Sequence, residues 1–205
     1  MTLDSQLLTH NSLTRVLTLA STSPRRKQLL EMLGFEVLVR PSHIPEEHQP
    51  GEAPLAYTER LARAKAEHVP GDFVIGADTT VVLDGRLLEK PADRADAVRM
   101  LTLLQGRTHE VVTSVALVAA GVTRTATDIT HVTFRAADRA FLEAYVDTGE
   151  PMDKAGAYGI QGYGAALVER VEGDFFSVMG LPVRLVLGLL AEAGWTYRFQ
   201  VRSEK

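Results

Sequence analysis

Segments with the hydrophobic spacing of helices alternate with segments of strand character from Arg15 to the end of this 205-residue chain. Such alternation is typical of domains in which helices pack against a sheet, and it predicts an α/β or α+β fold with a mixed sheet. The sequence contains no internal repeat and no Pro/Ser-rich linker. We therefore expect a single domain over residues 15–205, preceded by a short N-terminal extension over residues 1–14.

Capping and turn signals divide the first half of the chain into elements. Ser23 as N-cap, Pro24 in the first turn and Gly34 just beyond the end define one helix. The other expected elements are a strand (Arg15–Ser21), a strand (Phe35–Val39), a loop (Glu46–Pro54), a helix (Leu55–Val69), a central strand (Phe73–Ala77) and a hairpin (Thr79–Leu83 with Arg86–Leu88) that turns at Asp84-Gly85.

The same signals divide the second half of the chain, where one segment fits neither a helix nor a strand. The expected elements are a helix (Ala92–Gln105), a long hairpin (His109–Ala120 with Val122–Arg135), a short helix (Asp138–Asp147), two segments that flank a turn (Ala165–Val171 and Asp174–Val178), a helix (Pro182–Ala193) and a closing strand (Trp195–Val201). Residues Pro151–Ala165 hold four of the sixteen glycines and are too irregular for either period. This loop requires a functional explanation.

Composition excludes several classes of protein. The chain has no Cys, which excludes disulfides, thiolate nucleophiles and Cys-ligated metal centres and fits a reducing compartment. Its 22 Lys and Arg against 26 Asp and Glu give a net charge of −4, so it lacks the broad positive field of nucleic-acid-binding proteins. No apolar run is long enough to span a membrane, and residues 1–14 do not resemble a signal peptide. We expect a cytoplasmic protein with neither nucleic acid nor a membrane as its partner.

A basic pair stands where a helix normally carries acids. Arg25 and Arg26 fall in the first turn of the helix that Ser23 opens, although the partial positive charge there favours Asp or Glu. Together with Ser21, Ser23 and the free backbone N–H groups of the helix start, the two guanidinium groups predict a site for a phosphate or another anion. The alternative is a solvated basic pair on a surface helix.

A carboxylate and a cation follow strands further along the chain. Asp78 comes directly after the apolar run FVIGA, at the carboxyl end of the expected central strand, where α/β sheets place ligands. An Asp that caps a turn would leave the same pattern. Lys90 lies between Glu89 and Pro91 at the end of the hairpin, and it fits either a solvated ion pair or a site residue.

The glycine-rich loop contains groups suited to a nucleotide. Glycines let a backbone approach a ligand closely, and Lys154 can meet a phosphate. The amide of Gln161 offers both a donor and an acceptor to the edge of a base. A flexible surface loop is the alternative, but Tyr158, Ile160 and Tyr163 between the glycines indicate packing, which favours a functional role.

Several familiar catalytic motifs are absent, including the P-loop, the G-x-G-x-x-G turn, the G-x-S-x-G elbow and the H-E-x-x-H zinc helix. The six His are scattered without the spacing of metal ligands. Without Cys or clustered His, any metal must be a hard cation held by carboxylates and phosphates, and Mg²⁺ or Mn²⁺ is expected.

Five spaced motifs follow one another along the chain: STSPRR at 21–26, IGADT at 75–79, EKP at 89–91, DKAGAYGIQG at 153–162 and VMGLP at 178–182. In this order they resemble the Maf family of nucleoside triphosphate pyrophosphatases. The resemblance implies the Maf/Ham1 (ITPase-like) fold, in which a long twisted mixed sheet with flanking helices leaves a cleft between two lobes. It also implies a homodimer, and hydrolysis of a nucleoside triphosphate between its α and β phosphates.

The family's motifs also imply roles for individual residues. Asp78 falls on the family's proton acceptor, and Arg25, Thr79 and Gln161 fall on its specificity positions. This combination resembles the branch that prefers dTTP and UTP, since Gln161 can pair with the O and N–H edge of thymine or uracil. The alternative branch acts on 7-methyl-GTP and carries an acid where Gln161 stands.

One departure concerns an acidic stretch of the family, which reads His43-Ile44-Pro45-Glu46 here and keeps its acid only at Glu46. We hypothesise that Glu46 and Asp78 hold a divalent cation, Mg²⁺ or Mn²⁺, while Asp78 takes a proton from the attacking water. The phosphates would be bound by Ser21, Ser23, Arg26, Lys65, Lys90 and Lys154. A non-catalytic nucleotide-binding regulator of septum formation and cell division is the rival hypothesis.

Overall fold

Strands and helices alternate along residues 16–199, the part of the chain that this computed structural model describes. The strands are β1 (Leu17–Leu19), β2 (Val37–Val39), β3 (Phe73–Leu83), β4 (Arg86–Leu88), β5 (Thr108–Ala119), β6 (Val122–Phe134) and β7 (Val168–Glu172). The helices are α1 (Pro24–Met32), α2 (Pro54–His68), α3 (Arg94–Leu104), α4 (Arg139–Asp147), α5 (Phe175–Val178) and α6 (Val183–Glu192), and 3-10 turns occupy Glu150–Asp153, Ala155–Ala157 and Tyr163–Leu167. None of these helices is long and apolar enough to span a membrane.

The strands form one mixed sheet in the order β2-β1-β3-β5-β6-β7, with β4 also paired to β3. Strand β1 runs parallel to β2 and β3, whereas the pairs β3–β4, β3–β5, β5–β6 and β6–β7 are antiparallel. The predicted α/β class, with a mixed sheet and flanking helices, is confirmed.

Strand β3 is split along one of its two edges. On the side away from β5, β1 pairs with Val74 and Ile75, and β4 pairs with residues 81–83. Both of these partners are only three residues long. Residues 76–80 therefore have no strand partner on that side within the described chain. The opening lies in the middle of a largely buried strand, at Asp78.

Successive residues of β3 point to opposite faces of the sheet. One face carries Ile75 and Ala77, which belong to the main hydrophobic core shared with α1, α3, α4 and α6. The other face carries Gly76 and Asp78 and is covered by α2. Asp78 therefore faces a helix, whereas its neighbour Thr79 lies on the opposite side of the sheet.

Helix α2 meets β3 at a glycine. A Cβ atom at Gly76 would stand 2.3 Å from the carbonyl oxygen of Ala62 and 2.5 Å from the backbone nitrogen of Ala66. Both alanines are fully buried and pack with Ala116 of β5. The helix therefore approaches the sheet more closely than any side chain at position 76 would permit, and this approach brings Lys65 of α2 to Asp78.

The structure differs from the sequence-based expectation at two places near the motifs. Residues 73–83 form one strand that runs through Asp78 without a turn, because the pairing with β5 continues past that residue. Residues 175–178 form the one-turn helix α5, because the carboxylate of Asp174 accepts the backbone N–H of Phe176 and caps it.

The closing strand predicted over Trp195–Val201 is wrong for residues 195–199, which form no strand. The ring of Trp195 packs instead against Phe35 and Phe73, with centroids 5.6 and 4.9 Å apart, and this packing anchors the segment to the core. Residues 200 and 201, together with Arg15 and the predicted extension over residues 1–14, lie outside the described residues.

We expect Gly76→Ala to lower the free energy of unfolding by about 1–3 kcal/mol, because the added methyl group meets backbone atoms of α2. Gly188→Ala in α6 is the matched control, since a Cβ atom there meets nothing within 4 Å and removes the helix penalty of glycine, about 1 kcal/mol. Urea unfolding of both variants measures the difference. Equal stabilities would show that the position of α2 does not depend on residue 76.

Candidate active site

The split edge of β3 opens into a cleft of about 650 Å³. Its walls come from the turn after β1, the start of α1, the loop after β2, α2, β3, the end of β4, the glycine-rich segment and the residues after α5. All the residues predicted for the site lie on these walls: Ser21, Ser23, Arg25, Arg26, Glu46, Lys65, Asp78, Thr79, Lys90, Lys154 and Gln161. The fold thus gathers in one cleft residues that are distant in the sequence.

A buried lysine joins two carboxylates on the α2 side of the cleft. The Nζ atom of Lys65 lies 2.7 Å from Oδ1 of Asp78 and 2.6 Å from Oε1 of Glu46. The side chains of Lys65 and Asp78 are 8% and 9% exposed, whereas that of Glu46 is 42% exposed. A charge at such depth requires a close partner, because an isolated buried charge is costly. The two acids therefore share one ammonium group.

The two carboxylates differ in acidity because they differ in burial. Burial raises the pKa of Asp78 above its ordinary value, and the charge and hydrogen bond of Lys65 limit the rise. Burial acts in the same direction on Glu46, but there the hydrogen bond and charge of Lys65 and the charge of Lys90 outweigh it and lower the pKa of Glu46. Asp78 is thus the better proton acceptor of the two.

Arg26 occupies the open edge of β3. Its Nη1 donates to the carbonyl oxygen of Ala77 at 2.8 Å and to Oγ of Ser21 at 3.2 Å. Its Nη2 donates to Oγ1 of Thr79 at 3.2 Å, and its Nε to the carbonyl oxygen of Gly180 at 2.8 Å. The guanidinium group therefore replaces the missing strand partner of Ala77, and these bonds leave one of its five N–H groups for a ligand.

The other cations of the cleft are paired with acids as well. Arg25 and Lys154 lie 3.8 and 2.6 Å from the two carboxylate oxygens of Asp153, which links the start of α1 to the glycine-rich segment. Lys90 lies 3.9 Å from Glu46, and its side chain is 63% exposed. The side chains of Arg25 and Lys154 are less exposed, and Nζ of Lys154 also donates to the carbonyl oxygen of Glu150. Only the exposed Lys90 pair is of the kind that contributes little to stability. A multiply charged anion would therefore have to replace existing partners of Arg25 and Lys154.

A single carboxylate shapes the glycine-rich loop. Oε1 of Glu150 accepts the hydroxyl of Tyr145 and the backbone N–H of Gly164, both at 2.9 Å. A Cβ atom at Gly162 would stand 2.5 Å from Oε2 of the same carboxylate, and its φ of +88° also favours glycine. The loop is built around Glu150, and it presents Gln161 exposed at the wall of the cleft.

Three side chains of the site have roles that the sequence does not predict: Tyr57, Glu89 and Glu150. The hydroxyl of Tyr57 donates to Oε1 of Glu89 at 3.0 Å, and both residues line the cleft. Tyr57 precedes Lys65 by about two helical turns, which places the two residues on one face of α2. This spacing is the sequence signal that could have placed Tyr57 at the cleft. Glu150 resembles any surface acid in the sequence, and no local pattern distinguishes it.

The donor atoms of the cleft fit a hard divalent cation that arrives with phosphates. Asp78 and Glu46 each use one oxygen for Lys65 and keep a second. The hydroxyl of Thr80, which also lines the cleft, is buried without a hydrogen-bond partner among the described residues. In residues 16–199 no three His, Asp or Glu side chains are grouped to hold a metal ion by themselves. Mg²⁺ is usually bound by one or two carboxylates together with water and substrate phosphates.

The fold is a mixed sheet that opens at one strand edge into a cleft, and cations and carboxylates line this cleft. These features define an α/β protein whose site is suited to an anionic ligand. Sequence comparison identifies the family. Residues 16–193 match the family model described as Maf-like protein, and the chain belongs to the Maf family.

Relatives of this family match over most of their length. The dTTP/UTP pyrophosphatase of Koribacter versatilis is 50% identical over 182 residues, which cover 87% of this chain and 94% of that protein. Those of Moorella thermoacetica and Bacillus pumilus are 51% and 44% identical, covering 87% and 88% of this chain and 95% and 97% of theirs. Among solved structures, the Staphylococcus aureus Ham1 protein matches with a TM-score of 0.46 and 13% identity, over 87% of this chain and 99% of that one.

We expect Lys65→Met to lower the free energy of unfolding by about 3–5 kcal/mol at pH 7, because it leaves Asp78 as an uncompensated buried charge. The double variant Lys65→Met/Asp78→Leu removes both buried charges, and it is expected to be more stable than the single variant. Chemical denaturation at pH 7 measures both. A double variant that is less stable than Lys65→Met would contradict this account of the ion pair.

Proposed function

We propose that the protein hydrolyses dTTP and UTP between the α and β phosphates, releasing the nucleoside monophosphate and pyrophosphate. One observation carries the proposal: a buried carboxylate, Asp78, is held by Lys65 at the open edge of β3, in a cleft that also holds the cations a triphosphate requires. Relatives that are 44–51% identical and named dTTP/UTP pyrophosphatase support it.

Asp78 acts as the general base. Its Oδ1 is fixed by Lys65, and the carboxylate has about four lone-pair sites, so one can accept a proton from the attacking water while another faces the divalent cation. The water oxygen forms a bond to the α phosphorus, the bond from that phosphorus to the bridging oxygen breaks, and pyrophosphate leaves with the electron pair. Burial raises the pKa of Asp78 towards neutral pH. A general base accepts a proton most effectively when its pKa lies near the pH at which the enzyme works.

The cations of the cleft bind the phosphates. Arg25, Lys90 and Lys154 exchange their carboxylate partners for phosphate oxygens, Arg26 adds its remaining N–H group, and Ser21 and Ser23 lie beside it. Lys65 acts through the carboxylates that it holds.

Charge balance supports a metal requirement. Five cationic side chains against four carboxylates line the cleft, which is too little positive charge for a triphosphate. A divalent cation, Mg²⁺ or Mn²⁺, held by Glu46 and Asp78 with the phosphates, would neutralise the charge that builds on the leaving pyrophosphate.

Base selection is assigned to the glycine-rich loop. The amide of Gln161 can donate to an oxygen and accept from the N–H of thymine or uracil, whereas a carboxylate there would suit the donor-rich edge of guanine. Arg25 and Thr79 complete the specificity set on the other walls of the cleft. The single-domain boundaries, the homodimer, the cytoplasmic location and the exclusion of nucleic acid and membrane partners stay predictions.

Pyrophosphate release from dTTP, UTP, CTP, dATP, GTP and 7-methyl-GTP, with Mg²⁺ or Mn²⁺, tests the proposal. We expect turnover of dTTP and UTP, and a loss of about 10²–10⁴-fold in Asp78→Asn, because a general base contributes about that much. Asp84→Asn is the matched control, since Asp84 pairs with Arg107 at the hairpin turn, away from the cleft.

The other outcomes are equally clear. Turnover confined to 7-methyl-GTP would contradict the role of Gln161. Near wild-type turnover in Asp78→Asn would exclude Asp78 as the base. Nucleotide binding without pyrophosphate release from any substrate would favour the regulator of septum formation and cell division over the enzyme.

The pH dependence provides a separate prediction. Asp78 must be unprotonated to accept a proton, and burial raises its pKa, so kcat/KM for dTTP should fall on acidification with a midpoint above the ordinary Asp value of about 4. Initial rates from pH 4.5 to 9 would show this acid limb, and the residual activity of Asp78→Asn should lack it. An acid limb that persists unchanged in the variant would assign it to another group.

A further inference from the structure

The loop that carries Glu46 depends on α2 for its place. Residues 40–49 form neither helix nor strand. Arg60 of α2 donates to the carbonyl oxygen of Glu47 at 3.0 Å and pairs with the carboxylate of Glu52 at 2.6 and 2.7 Å. Side chains of α2 thus hold the part of the loop around Glu47 in place.

Lys65 of α2 holds the carboxylate of Glu46, and Tyr57 of the same helix reaches its backbone. Its hydroxyl lies 3.2 Å from the backbone carbonyl oxygen of Glu46 and 3.0 Å from Oε1 of Glu89. Tyr57 is 4% exposed, and its ring packs near His48 and the guanidinium group of Arg60. One phenol oxygen therefore joins α2, the Glu46 loop and the end of β4.

The chemistry of the phenol suits a permanent donor. The ordinary pKa of a tyrosine hydroxyl is about 10, so the hydroxyl keeps its proton at neutral pH. A hydrogen bond to a carboxylate is stronger than one to a neutral acceptor, so the proton is directed to Glu89. Asp78, Glu46 and Glu89 form an acidic wall of the cleft. Helix α2 contacts both ends of this wall, through Lys65 at Asp78 and through Tyr57 at Glu89.

The geometry points to Tyr57 as a positioning residue for the reaction proposed above, on which this inference rests. Its hydroxyl donates to the carboxylate of Glu89 and lies against the backbone carbonyl of Glu46, which keeps the charge of Glu89 beside the divalent cation bound by Glu46, Asp78 and the phosphates. Glu89 is thereby a further acidic residue of the site. Groups that orient ligands in this way typically change metal affinity or activity by about 10–100-fold when they are removed.

Tyr57→Phe tests this role, because it keeps the ring and removes only the hydroxyl. Tyr197→Phe is the matched control, since the hydroxyl of Tyr197 donates to the carbonyl oxygen of Leu33 at 3.0 Å and the residue does not line the cleft. Mn²⁺ is titrated calorimetrically into protein that is saturated with the α,β-methylene analogue of dTTP. We expect Tyr57→Phe to bind Mn²⁺ at least about tenfold more weakly than the wild-type protein, and Tyr197→Phe to bind it as the wild-type protein does. The kcat/KM for dTTP at limiting Mn²⁺ should fall in parallel, while the thermal midpoints of the two variants stay similar.

A double-mutant cycle separates the two partners of the hydroxyl. Glu89→Gln keeps an acceptor oxygen and removes the charge, so adding Tyr57→Phe to it should cost less than Tyr57→Phe alone. Fully additive losses would exclude an action through Glu89. Mn²⁺ affinity in Tyr57→Phe equal to that of Tyr197→Phe would overturn the inference.

The titration does not depend on turnover. A wild-type protein that binds the analogue and Mn²⁺ but hydrolyses no nucleotide would refute the proposed function, and the comparison of Tyr57→Phe with Tyr197→Phe would still decide the role of the hydroxyl in binding. A wild-type protein that binds neither Mn²⁺ nor the analogue would refute both proposals.

Discussion

The cleft depends on the close approach of α2 to β3 at Gly76. Because no side chain separates the helix backbone from the strand there, the ammonium group of Lys65 reaches Asp78 in a place almost closed to water. The same approach sets the direction from which Tyr57 and Arg60 support the loop of Glu46. One methyl group at position 76 would disturb Asp78, its counter-ion Lys65 and the acids Glu46 and Glu89 together.

Much of the fold can be predicted from the sequence because its signals are local. Ser23 and Gly34 mark the ends of α1, and the Asp84-Gly85 turn marks the hairpin of β3 and β4, where both residues have the positive φ that the turn requires. The last segment could not be predicted in this way. Its alternating apolar residues resemble a strand, but Trp195 packs on aromatic rings from two distant segments, and sequence spacing does not reveal such contacts.

The sequence predicts which residues form the candidate site, but it does not predict their hydrogen-bond and ion-pair partners. The residues expected from the motifs all reach one cleft, yet Arg26 uses most of its donors inside the protein and Lys65 faces carboxylates. Such partners are fixed by the split edge of β3 and by helix packing, which no short motif encodes. Glu150 was missed for the same reason, since its importance lies in backbone groups that only the folded loop brings to it.

The cations at the mouth of the cleft already have carboxylate partners. These partners set a threshold for the negative charge of any ligand that the cations can bind. A ligand displaces Asp153 and Glu46 from them only if it offers more negative charge than these acids do. In the proposed reaction, a triphosphate would offer more charge than these two carboxylates together, whereas a nucleoside monophosphate, with a charge of about −2, would only match them. The returning carboxylates would then compete with the monophosphate for the cations, so the ion pairs of the resting protein would favour release of the shortened nucleotide once pyrophosphate has left.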